Sequence, residues 1–280
     1  MTRDVIHCLT TLEEHAKGTE ESRPRTSPFV STRHGDVEPI PYDPEQPRLG
    51  RRESEPHAEE IQYLFDVLST NFPGGRATRD LHHYFTVEGV KYDLQFDLSF
   101  FPTLQVPYTL SSFNAERFGG QVPTLAVNVL SRRTWQVDVG LHVEYCRDVG
   151  VPVYVVFPAY HVATRRYEPP FLRAYVLQAS GDYHVQEMRA VAMREGEAWV
   201  AAQNLIGFGE LLPFRLGLVE LVQPPDGGLK HYRLALFRTD EPVPYPTSLE
   251  RVRQQLDRER AKADELAEKL RMCKEKFGKL

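Results

Sequence analysis

The stretch at residues 122–158 constrains the fold more than any other part of the chain. Two short, almost wholly apolar runs, PTLAVNVLS (123–131) and VYVVF (153–157), flank a segment with helical spacing. A strand without a polar face is buried on both sides, as strands in parallel sheets are. Residues 138–148 fit one helix of about three turns, closed by Gly150, and Pro158 ends the second run. The strand–helix–strand order predicts a βαβ unit with parallel strands and a right-handed crossover. The fold class that follows is α/β (α+β).

Other elements assemble around this unit. Ile61, Leu64, Phe65 and Leu68 recur at helical spacing over residues 57–72, with Ser54 as a cap and Pro73-Gly74-Gly75 as the stop. Residues 87–91, VEGVK, read as a hairpin turn leading into YDLQFDL (92–98), which alternates with period two. The alternation puts Tyr92, Leu94, Phe96 and Leu98 on one face and Asp93, Gln95 and Asp97 on the other. Residues 172–237 carry short strands broken by glycine turns. Residues 1–55 are polar and rich in Pro, Arg, Glu and Ser. Apart from a short helix at 5–16, they read as a mostly disordered arm, because they bury too little apolar area to offset ordering entropy.

Composition excludes several function classes. The net charge is −5, so no global basic field advertises nucleic acid. Three cysteines lie far apart without a CxxC pair, which argues against a disulfide framework or structural zinc and for a cytoplasmic setting. No apolar run approaches the roughly 18 residues of a membrane span, so no membrane partner is expected.

The sequence VPTLAVNVLSRRTWQVDVGLHVEYCRDVGVPVYVVFP (122–158) resembles the Uma-type restriction endonucleases of the PD-(D/E)XK nuclease superfamily. Their pattern there runs approximately PDLVVEVLS, a gap, D-x-x-x-K, a Tyr, then GVPEYWxVDP. YDLQFDLSFF (92–101) resembles the family's first acidic strand, and HAEEI (57–61) its N-terminal helix, which often starts near a histidine. The likeness covers about two-thirds of the chain, residues 56–240, and implies a restriction-endonuclease-like core with a mixed central sheet flanked by helices.

The resemblance also implies a site: Mg²⁺ or Mn²⁺ held by carboxylates on neighbouring strands beside a lysine. This sequence departs from it. Asp93 matches the first acidic position, but Thr124 stands at the second PD aspartate and Asn128 at the glutamate. His142 stands at the lysine and Phe157 at an aspartate ending the third strand, while Asp138 and Gly150-Val151-Pro152 are retained as architecture. Replacing a carboxylate by an amide removes a contact worth a few kcal/mol, on the order of 4 kcal/mol at an effective dielectric near 20. The degenerate catalytic set is thus Asp93, Asn128 and His142, with Asp93 and Asp97 as the metal pair if the protein is active. Asn128 also reads as a satisfied core amide and His142 as a partnered helix histidine. His82 and His83, adjacent on a strand, point to opposite faces and cannot chelate together. Arg132-Arg133, after the second strand, are placed either to touch phosphate or to be a solvated loop.

After the proline-rich 241–246, Thr247/Ser248 open a helix to the C-terminus. Leu249, Val252, Leu256, Ala263, Leu266, Leu270, Cys273 and Phe277 hold a 3-4 repeat interrupted by Glu259, the signature of a coiled coil. The expected protein is therefore a catalytically inactive nuclease-fold module that binds a protein partner or itself through the 249–280 helix, with no cofactor. An active Mg²⁺- or Mn²⁺-dependent endonuclease with a rearranged site, and a non-catalytic nucleic-acid binder, are the alternative readings.

Overall fold

The computed structural model describes residues 29–31, 55–106, 109–161, 165–197, 204–222, 230–241 and 243–278. Most of the expected N-terminal arm, its short helix and the Ser54 cap lie outside these residues. The described piece of the arm, β1 (Phe29–Ser31), pairs in parallel with β3 (Val90–Phe101).

The longest ladder joins β2 (Arg76–Val87) to β3. Its turn has Glu88 at φ 51° and Gly89 at φ 82°. Two successive positive φ values match the twist of the flanking strands, and glycine at the second position adopts them without strain. The large sheet runs β4 (Phe113–Asn114), β2, β3, β5 (Leu125–Val129), β6 (Val153–Phe157), β7 (Leu172–Leu177), β8 (Tyr183–Met188). β5 and β6 are parallel, as their buried apolar sequences require, and every residue of both is buried. The helix expected at 138–148 is two pieces, α2 (Trp135–Asp138) and α3 (Leu141–Asp148). Gly140, at φ −121° and ψ −97°, breaks them, and a Cβ there would come within 2.9 Å of the Gln136 carbonyl.

Two cores form on the two faces of this sheet. One face carries Leu98, Phe100, Val127, Val155 and Phe157 and packs on α1 (Glu55–Asn71) and on a second sheet. That sheet consists of β9 (Val191–Arg194), β10 (Ile206–Gly207), β11 (Arg215–Glu220) and β12 (Tyr232–Phe237). The other face carries Leu94, Phe96, Ala126, Tyr154 and Val156 and packs on α3 through Cys146. The fold is therefore mixed α/β, with a mixed sheet covered on both sides. α1 is also tied to the second sheet by Glu60, whose carboxylate meets Arg233 at 3.2 Å and the Leu234 N–H at 3.3 Å. Burial pushes the Glu60 carboxyl up to about 7 against the pull of Arg233.

Strict alternation along β3 fails at one point. Leu98 was expected to share a face with Tyr92, Leu94 and Phe96, yet it packs in the opposite core. Ala77 and Leu81 on β2 divide in the same way. Between the ladder pairs Arg79↔Leu98 and Leu81↔Phe96, Asp80 takes a φ of 49°. A short polar side chain tolerates this left-handed conformation better than most. Both strands therefore exchange faces where Asp80 lies opposite Asp97.

His82 and His83 do point apart. His83 is fully buried among Phe85, Phe96, Phe101 and Phe113. Its Nδ1 donates to the Leu81 carbonyl at 2.8 Å, and Nε2 lies 2.9 Å from the Ser99 hydroxyl. Burial pushes this imidazole down from 6.5 to about 4. Unfolded chain takes up a proton near 6.5 and folded chain only near 4, so this contribution is intact above 6.5 and is lost as pH falls. The full loss is about 3 kcal/mol. Between pH 7 and 4 the stability advantage of the wild type over His83→Gln, measured by urea denaturation, should shrink by about that amount. Glu60 has the opposite pH slope and cancels in this difference.

Candidate functional site

Three of the residues singled out in the sequence, Asp97, Asn128 and His142, meet where β3 and β5 part. Their ladder runs Phe100↔Leu125, Ser99↔Ala126, Leu98↔Val127, and the next pair would be Asp97 with Asn128. There, side chains replace the backbone pairing. The Asp97 N–H donates to Asn128 Oδ1 at 3.2 Å, and the Val129 N–H donates to Asp97 Oδ2 at 2.7 Å. Each strand thus caps the backbone group that the other's departure would orphan, as a buried amide requires.

His57, near the start of α1, closes the fork from one side. Its Nε2 lies 2.9 Å from the Val129 carbonyl and 3.1 Å from Asp97 Oδ2. A carbonyl only accepts, so Nε2 carries the proton. Burial pushes the Asp97 carboxyl above its ordinary range, and the His57 bond opposes that shift.

From the other side come α2 and α3. Because Asn128 Oδ1 accepts from Asp97, its Nδ2 faces Asp138 Oδ1 at 2.9 Å and His142 Nδ1 at 3.1 Å. Asp138 Oδ2 accepts from the Thr134 hydroxyl at 2.6 Å, and the Asp138 carbonyl accepts from the Tyr154 hydroxyl at 2.9 Å. His142 Nδ1 also lies 3.2 Å from Asp138 Oδ1, four residues back. Asn128, Asp138 and His142 are all buried, at 4%, 2% and 2% exposure. At that depth a histidine does not reach a solvent-borne substrate.

The structure thus joins Asn128, His142 and Asp97, and it leaves Asp93 apart. Four strand residues span roughly 13 Å, too far for Asp93 and Asp97 to share one ion. Asp93 is buried and meets His82 Nδ1 at 2.7 Å. Beside Asn128, in the place the resemblance assigns to Asp93, stands Asp97. Thr124 sits before β5 with its carbonyl holding the Val153 N–H, and Phe157 is fully buried. Arg132 and Arg133 are exposed in the turn after β5. His57 had a sequence signal as the start of an expected helix. Its partnership with Asp97 had none, because the two are 40 residues apart.

The divalent ion that the resemblance implies does not fit these residues. Among the described residues, no three His, Cys, Asp or Glu side chains group to hold a metal. The Asn128 oxygen faces a backbone donor, and both Asp138 oxygens already accept hydrogen bonds.

Comparisons with known proteins add little. No family model matches the chain, and no curated protein matches it. A solved structure from Anabaena variabilis, described as a candidate nuclease belonging to DUF820, is similar at 14% identity and a TM-score of 0.38. The match covers 50% of this chain and 70% of that one. Among the described residues no helix is long and apolar enough to cross a membrane.

The fork yields a stability test. Asn128→Asp replaces the amide donors with a carboxylate facing Asp138 and leaves a buried charge unpaired. The expected cost is about 3 kcal/mol at pH 7, read as a lower urea midpoint, with partial recovery at pH 5. Unchanged stability would mean that the amide does not hold the fork.

Proposed function

We propose that this chain is a nuclease-fold protein without hydrolytic activity, serving as a binding or assembly module through its core and its C-terminal helix. One observation carries the reading: the polar groups at the strand fork are bonded to one another and to the backbone. Metal-dependent phosphodiester hydrolysis needs hard oxygen ligands that converge on open space, plus a group to steady the attacking water. Here Asp97 Oδ2 accepts from Val129 and His57, the Asn128 oxygen accepts from Asp97, and His142 is buried against Asp138. The same bonds join α1, β3, β5, α2 and α3, which supports a structural role for a residual site.

Purified full-length protein with Mg²⁺ or Mn²⁺ is therefore expected to leave linear DNA, supercoiled DNA and RNA uncut, and to give no binding heat on titration with Mn²⁺. Cleavage that disappears in Asp97→Ala or Asp93→Ala would overturn the reading. Salt-sensitive binding of DNA or RNA without cleavage would move the function to a nucleic-acid binder.

A further inference from the structure

The C-terminal helix α4 (Ser248–Phe277) is 30 residues long and none of its residues is buried. At 1.5 Å per residue it extends about 45 Å. Its root is fixed. Thr247 and Glu250 form a reciprocal capping box, the Ser248 N–H donates to Asp66 at 2.8 Å, and Arg251 donates to Asn71 Oδ1 at 2.7 Å. Beyond the root, ion pairs such as Lys262–Glu259 and Arg271–Glu268 join residues within the helix. Such pairs add only about 0.2–0.5 kcal/mol each, whereas most helices are held by burial of an apolar face. Here that face is open, with Leu249 57%, Val252 62%, Leu266 65% and Phe277 72% exposed.

Charge along α4 is sorted about this face. With Leu249 at position a of a heptad, the charged residues beside the seam, at e and g, are Arg253, Arg260, Lys262, Lys269, Lys274 and Lys276. All are basic. The acidic residues Glu250, Asp257, Asp264, Glu265, Glu268 and Glu275 fall at b, c and f, away from the seam. Glu259 alone among them enters it, at a d position.

This arrangement disfavours a second copy. A parallel pair sets g against e of the partner, and an antiparallel pair sets like positions against like, so either opposes basic with basic. It also disfavours a membrane surface, since Glu259, at a d position, would be dragged into the apolar layer. Resting on the module reading above, we infer that α4 pairs with a partner helix whose own apolar seam is flanked by Asp or Glu. That partner presents a Lys or Arg opposite Glu259. A single charged residue in a seam fixes register when it is matched and costs stability when it is not.

The test uses the full-length protein and synthetic helices with leucine seams. One has glutamate flanks and a lysine opposite Glu259, the second has leucine at that place, and the third has lysine flanks. By calorimetry and gain of helical circular dichroism, the first should bind at least about tenfold tighter than either other peptide. Its affinity should fall as salt rises. Leu266→Glu should weaken binding by about tenfold or more. Glu259→Leu should reverse the preference between the first two peptides, and Lys262→Glu with Lys269→Glu should shift preference towards the lysine-flanked one. No binding of the acidic helix, self-association of the protein, or preferential binding to phosphatidylserine vesicles would each overturn the inference. Nuclease activity would overturn the silent-core reading without changing these binding results, so the two failures are distinguishable.

Discussion

The structure depends on how β3 and β5 separate without leaving bare amides. Two strands that diverge inside a protein must dispose of buried N–H and C=O groups, each costing about 1–3 kcal/mol if unmatched. Asp97 and Asn128 resolve this by exchange, each side chain serving the other strand's backbone. The solution requires one carboxylate and one amide. Two carboxylates could not do it in the same way, because neither offers a donor to Asp138 or His142. A composition that looks like damage to a catalytic site is therefore well suited to holding the fork closed.

That exchange also accounts for the layers. His57 reaches the fork from α1 on one face of the sheet, while Asp138 and His142 reach it from α2 and α3 on the other. The apolar cores are separated by the sheet, and this polar chain runs through it. Hydrogen bonds of this kind specify geometry that apolar contacts leave loose. The strands exchange faces at the same place, with Asp80 in a left-handed backbone conformation between the pairs Arg79↔Leu98 and Leu81↔Phe96.

Much of the fold was legible because its signals are local. The apolar runs of β5 and β6, the Glu88-Gly89 turn and the spacing of Ile61, Leu64 and Leu68 each follow from neighbours in the chain. What was not legible depends on distant partners. Period-two alternation assigned Leu98 to the wrong face because the reversal coincides with Asp80 on β2, which the sequence of β3 does not reveal. Asp93 and Asp97 look equivalent on one strand; only the end of the β3–β5 ladder distinguishes the one beside Asn128. Asn128 and His142 were visible as residues at informative positions, and their mutual contact needed the turn between α2 and α3. The helical repeat of α4 was legible, whereas its lack of any burial was not.

α1 holds His57 near its first turn, Glu60 one turn on, and Asp66 and Asn71 towards its end. The same short rod therefore grips the strand fork, the second sheet and the root of the long tail. A load applied along the tail enters the body at one end of this rod, and the fork lies at its other end, roughly 20 Å away. The molecule has a built-in strut, and tension on the tail is passed to the helix that also holds the strand fork.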